Sequence, residues 1–164
     1  MRVLGIDPGL NITGYAVLED RQSTIGVVEA GVVRTKASAP MSLRLKEIAA
    51  GVEEIIGQFN PEALAVEELY SHYAHPKTAI IMGHARGVVF LEAAKAGLEV
   101  FSYASTRVKK SLTGNGRAPK RQMQLMITST LGLSQIPEPA DAADAMAIAL
   151  CHCRSLQHQG AFAR

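Results

Sequence analysis

At 164 residues and 48% hydrophobic content, the chain has the size of one ordinary domain with no room for a second independent core. No run approaches the roughly 18 uninterrupted apolar residues of a membrane span, and the amino-terminal run meets Asp7 too soon for a signal peptide, so a cytoplasmic protein is expected. The net charge of +2 says less than its distribution: Val100 to Pro137 lacks Asp and Glu but carries Arg107, Lys109, Lys110, Arg117, Lys120 and Arg121, and acid-free Leu69 to Leu91 adds Lys77, Arg86, His72, His75 and His84, a pattern that suits nucleic acid.

In chain order, Arg2 to Asp7 is an apolar run ending at Asp-Pro-Gly, a buried strand that delivers a carboxylate to its carboxyl end. Thr13 to Leu18 and Ile25 to Arg34 are rich in β-formers and separated by a polar turn near Glu19-Asp20-Arg21, so the first three strands form an antiparallel meander. Leu43, Leu45, Ile48, Ala49, Val52, Ile55 and Ile56 recur at helical spacing, predicting a helix from an N-cap at Ser42 to Phe59, stopped by Asn60-Pro61. Ala63 to Val66 is a second short strand ending in acids, Glu67-Glu68.

Pro76 opens a helix through about Ala96, with Gly83 and Gly87 four apart on one face, which suits either packing on the parent sheet or a contact with a second copy. Glu99 to Tyr103 is a fifth strand; a short helix, Ser105 to Leu112, and a loop expected to be mobile, Thr113-Gly114-Asn115-Gly116, follow. Two further helices span Pro119 to Leu131 and Asp141 to about Leu156, leaving a polar tail, 157–164, beyond one domain over 1–156. Hairpin strands followed by alternating helices and strands predict an α/β fold, a mixed sheet covered by helices on both faces. Cys151 and Cys153, two apart on a helix, suit neither a disulfide nor zinc and read as small buried groups.

The chemistry lies in the acids. Asp141 and Asp144 are three apart, which places two like charges on one helix face amid small residues, Ala142, Ala143, Ala145 and Ala147. Alone, the pair reads as a helix cap and a first-turn acid. With Asp7 and Glu67 at strand ends, all four can share one site. Mg²⁺ takes oxygen ligands of this kind, and two ions about 3.5–4 Å apart suit in-line phosphoryl displacement. An all-carboxylate set is poorly matched to zinc, and no Ser-His or Cys-His arrangement offers covalent catalysis.

Gly5-Ile6-Asp7-Pro8-Gly9-Leu10 with Thr13-Gly14-Tyr15, then Gly83-His84-Ala85-Arg86-Gly87, then Asp141-Ala142-Ala143-Asp144-Ala145, closely resemble the RuvC-type Holliday junction resolvases, over nearly the whole chain to about His152. The resemblance implies a ribonuclease-H-like fold, a five-stranded mixed sheet, and a homodimer. The implied reaction is paired, symmetric nicking of like-polarity strands of four-way DNA junctions in recombination and repair, leaving 5′-phosphate and 3′-hydroxyl ends. It implies Asp7, Glu67, Asp141 and Asp144 as ligands of Mg²⁺, replaceable by Mn²⁺, with two ions per subunit. Lys109 and Lys120 match basic positions near the scissile phosphate, and Tyr70 an aromatic that wedges against bases. Arg86, Arg107, Lys110, Arg117 and Arg121 complete the expected DNA surface, and the junction-binding and branch-migration helicase proteins of the same pathway are the implied partners. His84 stands where the family usually has Gln, and Ser71 to His75 is one residue longer than usual.

Three alternatives have a chemical basis. An actin-like phosphotransferase also uses a strand, an Asp and glycines like Asp7 to Gly14, but needs two related domains. A junction-binding module that no longer cuts would keep the basic surface; the same fold also hosts nucleases for other substrates, including RNA hybrids.

Overall fold

Alternation along the first strand sets the layering of the molecule. In β1 (Arg2–Asp7), Val3 faces one apolar cluster while Leu4 and Ile6 face another, as the two-residue period of a strand requires. A computed structural model describes residues 1–21, 24–69 and 76–162, with side chains to 157. The five strands, with β2 (Ile12–Arg21), β3 (Thr24–Arg34), β4 (Ala63–Glu67) and β5 (Glu99–Tyr103), lie in the order β3-β2-β1-β4-β5. The β3-β2-β1 part is antiparallel, and β4 and β5 add parallel to β1. This is the mixed sheet that the sequence predicts.

One face is covered by α1 (Met41–Phe59) and α2 (Pro76–Lys95), which seat Ile48, Val52, Ile55, Ala85 and Val89 on Leu4, Ile6, Val17, Leu64 and Val66. The other face carries α3 (Ser105–Thr113), α4 (Lys120–Thr130) and α5 (Ala140–Phe162), with Val108, Leu112, Met123, Ile127, Ile148 and Leu150 against Val3, Ala16, Leu18 and Ala65. Each large aliphatic side chain fully buried here contributes about 1.5–3 kcal/mol. Among the described residues no helix is long and apolar enough to cross a membrane.

The structure departs from the sequence prediction in three places. Ser42 is not the N-cap: the φ of Pro40, −54°, with extended ψ, brings the chain into the helix two residues earlier, and Pro40 caps without a side-chain hydrogen bond. At the far end Asn60, at φ 46°, closes α1 through its N–H to the Ile56 carbonyl. Glu19, Asp20 and Arg21 are not a turn but the end of β2, where Arg2 and Arg21 both pair with the Glu19 carboxylate and let a polar segment stay in the ladder. The last helix does not stop at Leu156 but runs to Phe162.

The expectation for the two cysteines on this face is met. Cys151 and Cys153 are free and buried, and burial pushes the Cys153 thiol up to about 12, which leaves it inert. His152 is buried too, its Nδ1 2.7 Å from the Tyr103 hydroxyl and its ring stacked near Phe101. Thr113-Gly114-Asn115-Gly116, expected to be mobile, is stitched by the Thr113 hydroxyl and the Asn115 carboxamide to neighbouring main chain.

Candidate active site at the carboxyl edge of the sheet

The sheet register brings the first two acids together. β1 and β4 are parallel neighbours with Ile6 opposite Val66, so Asp7 and Glu67 leave adjacent strands at the same edge. Because Ile6 and Val66 face the α1–α2 side, alternation turns Asp7 and Glu67 to the opposite face, where α5 packs. Glu67 is also held across β5, opposite Tyr103, and the Glu68 N–H extends that ladder to the Tyr103 carbonyl at 2.9 Å.

Glycine and alanine let the helix bring in the other two. A Cβ on Gly14 would collide with the Asp141 carbonyl, and one on Gly5 with the Ala145 carbonyl and with Ala149. Their absence allows the start of α5 to lie directly on β1 and β2, with Ala142 and Ala145 buried beneath it. Asp141 and Asp144, in its first turns and half-buried, then overhang the strand ends. Gly14 pairs with Asp7 in the ladder, so the residue that admits the helix lies beside the first carboxylate.

Electrostatics record the crowding. Burial first, and then the negative charges of Asp144, Glu67 and Asp141, push the Asp7 carboxyl up to about 7, against an opposing pull from Lys120. Burial also raises Glu67, partly offset by a hydrogen bond from Ser105 and by the charge of Lys109. The Lys120 ammonium donates to Asp144 Oδ2 at 3.0 Å, and this bond raises its own pKa. Glu67, Ser105, Lys109, Lys120 and Asp144 line a cavity of about 230 Å³, floored by Val108, Met123, Ala147 and Ile148. As the side chains stand, no three acid, His or Cys groups among the described residues meet at ligating distance. The coupling at Asp7 nevertheless reaches all of the other three.

The remaining expected residues divide into three groups. Lys109 and Lys120 join the carboxylates, while Lys110, Arg117 and Arg121 are exposed along α3, the following loop and α4. Arg107 is exposed but committed, its guanidinium 4.9 Å from the Tyr103 ring centre and within reach of the Ser155 hydroxyl. Arg86 braces the site from behind: it donates to the Glu67 carbonyl at 3.2 Å and to the Ser102 hydroxyl at 2.8 Å, over the ring of Phe90. Tyr70 lies outside the described residues. Sequence reasoning missed Ser105, whose hydroxyl supports Glu67; the available signal was its place two residues beyond Tyr103, the strand partner of Glu67.

Comparison with known proteins gives a consistent neighbourhood. Residues 3–152 match the family model described as crossover junction endodeoxyribonuclease RuvC. The crossover junction endodeoxyribonuclease RuvC of Rhodopirellula baltica is 53% identical over 91% of this chain and 84% of its own length. That of Caldicellulosiruptor saccharolyticus is 44% identical over 94% and 93%. Among solved structures, Thermus thermophilus RuvC in complex with Holliday junction substrate superposes with a TM-score of 0.91 at 36% identity, over 97% of this chain and 96% of that one.

Proposed function

Because the chain belongs to the RuvC family of crossover junction endodeoxyribonucleases, we propose that Asp7, Glu67, Asp141 and Asp144 are the centre with which it cuts four-way DNA junctions. The chain is a DNA endonuclease on a ribonuclease-H-like fold, a hydrolase of the recombination and repair class, and its family depends on divalent metal. The observation that carries the site assignment is the convergence of four acids from β1, β4 and α5 at one sheet edge, with Lys109 and Lys120 beside them.

The donor set fits Mg²⁺, with Mn²⁺ as substitute: it is all carboxylate, and its mutual repulsion is what a hard cation relieves. Asp7, Glu67, Asp141 and Asp144 would hold two ions per subunit. Metal held there by these carboxylates would supply activation of a water and charge stabilisation at the leaving oxygen of the scissile phosphodiester. The chain's own groups supply the rest. Lys120, at the mouth of the cavity, offers an N–H donor and a positive charge to the phosphate oxygens as negative charge builds on them, and Lys109 adds a second charge beside Glu67. Ser105 and Arg86 keep Glu67 in place from its side-chain and main-chain ends. The products are a 5′-phosphate and a 3′-hydroxyl.

Two such centres, one per subunit of a homodimer, would nick two like-polarity strands symmetrically. Support for the dimer comes from α2, where Ile80, His84, Gly87 and Leu91 form an exposed stripe at helical spacing. A side chain at Gly87 would meet nothing within 4 Å, so its smallness serves no packing among the described residues. Residues 1–156 act as one nuclease domain. Arg107, Lys110, Arg117 and Arg121 carry DNA, with Tyr70 as the wedge at the crossover. The protein works in the cytoplasm with the branch-migration helicases of the pathway.

Cleavage of mobile four-way junctions, compared with duplex, flap and RNA-hybrid substrates, tests this reading. Wild-type protein should cut the junctions with Mg²⁺ or Mn²⁺. Asp7→Asn should lose cutting at least a hundredfold and keep junction affinity. Binding by wild-type protein without cleavage in either metal would leave a junction-binding module instead.

A further inference from the structure

The carboxylates lie near the middle of the sheet edge, and the DNA surface described above occupies one side of them only, that of β5, α3 and α4. The other side is also basic. From Ala30 through Lys46 the sequence holds no Asp or Glu but carries Arg34, Lys36, Arg44 and Lys46, and the first turn of α1 has no acid. Arg34 and Lys36 are exposed, and neither pairs with a carboxylate among the described residues.

Between them sits a rigid brace. Arg44, only 8% exposed, donates through Nε to the Thr35 hydroxyl at 2.9 Å and through Nη2 to the Asn11 side chain. Thr35 in turn donates its hydroxyl to the Leu10 carbonyl at 2.6 Å and its N–H to the Asn11 carbonyl at 3.1 Å. The end of β3 is thereby locked to the loop that leaves Asp7, and the two flanking cations are held in fixed register with the carboxylates.

The separation suits a nucleic-acid strand. Asp7 pairs with Gly14, Gly14 with Val32, and Arg34 lies two residues further on. Strand spacing and rise then put the Arg34 backbone roughly 12 Å from that of Asp7, about 10 Å across and 7 Å along. One DNA strand advances about 3.4 Å along the axis per phosphate while also winding around it, so a strand cut at the carboxylates has a phosphate roughly two nucleotides away at that distance. We propose that Arg34 and Lys36, fixed by the Thr35–Arg44 brace, form a second DNA-backbone contact on the side of the cut opposite Lys109 and Lys120. The proposal rests on the junction-cutting reading above and extends its DNA surface to β3 and α1.

The test is a polarisation titration of a labelled four-way junction without divalent metal, over a series of salt concentrations. It compares wild type, the double variant Arg34→Ala/Lys36→Ala, and Arg21→Ala, which removes an exposed cation at the opposite end of the sheet. The double variant should bind roughly tenfold more weakly near 0.1 M salt and lower the slope of log K against log salt by about 1.8, two contacts at about 0.9 each. Arg21→Ala should change neither. Wild-type affinity and slope in the double variant, with an unchanged melting temperature, would overturn the proposal, as would weaker binding with no change of slope. Absence of junction binding or cutting by wild-type protein would instead defeat the reading on which it rests.

Discussion

Asp7 carries the heaviest electrostatic load in the site. Its carboxyl is raised to about 7 by burial and by three neighbouring acids, so the folded metal-free protein prefers it protonated, whereas in the unfolded chain it ionises near its ordinary value of 3.8. The resulting cost is absent below that lower value, grows as the pH rises between the two, and is complete above about 7. In chelator, Asp7→Asn should therefore leave the melting temperature at pH 4 nearly unchanged and raise it by several degrees at pH 8, on a scale of about 2–4 °C per kcal/mol for a chain this size. Equal melting temperatures at pH 8 by calorimetry would show the acids to be uncoupled. Adding Mg²⁺ should stabilise wild type more than the variant, since the cation relieves the same repulsion. At this scale the sequence made the carboxylates legible, because two ended apolar runs and two shared a helix face. Ser105, and the use of Arg86 as a brace, depend on which strand ends lie next to which, and no spacing within one segment discloses that.

The element that completes the site is α5. Its approach depends on two glycines in other elements, Gly5 in β1 and Gly14 in β2, each of which would drive a side chain into the helix main chain. Gly14→Ala is accordingly expected to lose more than about 2 kcal/mol of stability, as overpacking against rigid backbone does, and to reduce cutting further than that loss explains by displacing Asp141. Denaturant unfolding alongside cleavage at saturating metal checks both; a variant with wild-type stability would show that the helix can shift freely. Helices and strands were largely readable from periodicity, yet three boundaries were not. Pro40 displaced the expected cap at Ser42, the paired charges of Arg2, Glu19 and Arg21 kept a polar segment in β2, and α5 outlasted its apolar pattern. Each depends on local geometry or on a long-range ion pair that hydrophobic pattern does not encode.

For the whole molecule, the exposed stripe of α2 sets the expected assembly. Leu91, 54% exposed, and Ile80, 61% exposed, lie on it. Leu91→Asp should turn a dimer into a monomer by light scattering and change junction products from paired nicks to single ones, with little change in melting temperature at high dilution. A dimer that survives the substitution would move the interface elsewhere. The layout also has a consequence for the making of the protein. Asp7 and Glu67 belong to the first half of the chain, whereas Asp141 and Asp144 arrive on its last helix, which must seat against the first two strands. A chain still on the ribosome would thus carry half of the proposed centre until α5 is made. Cutting of DNA is expected only once α5 has been made and has seated on β1 and β2, which ties activity to completion of the fold.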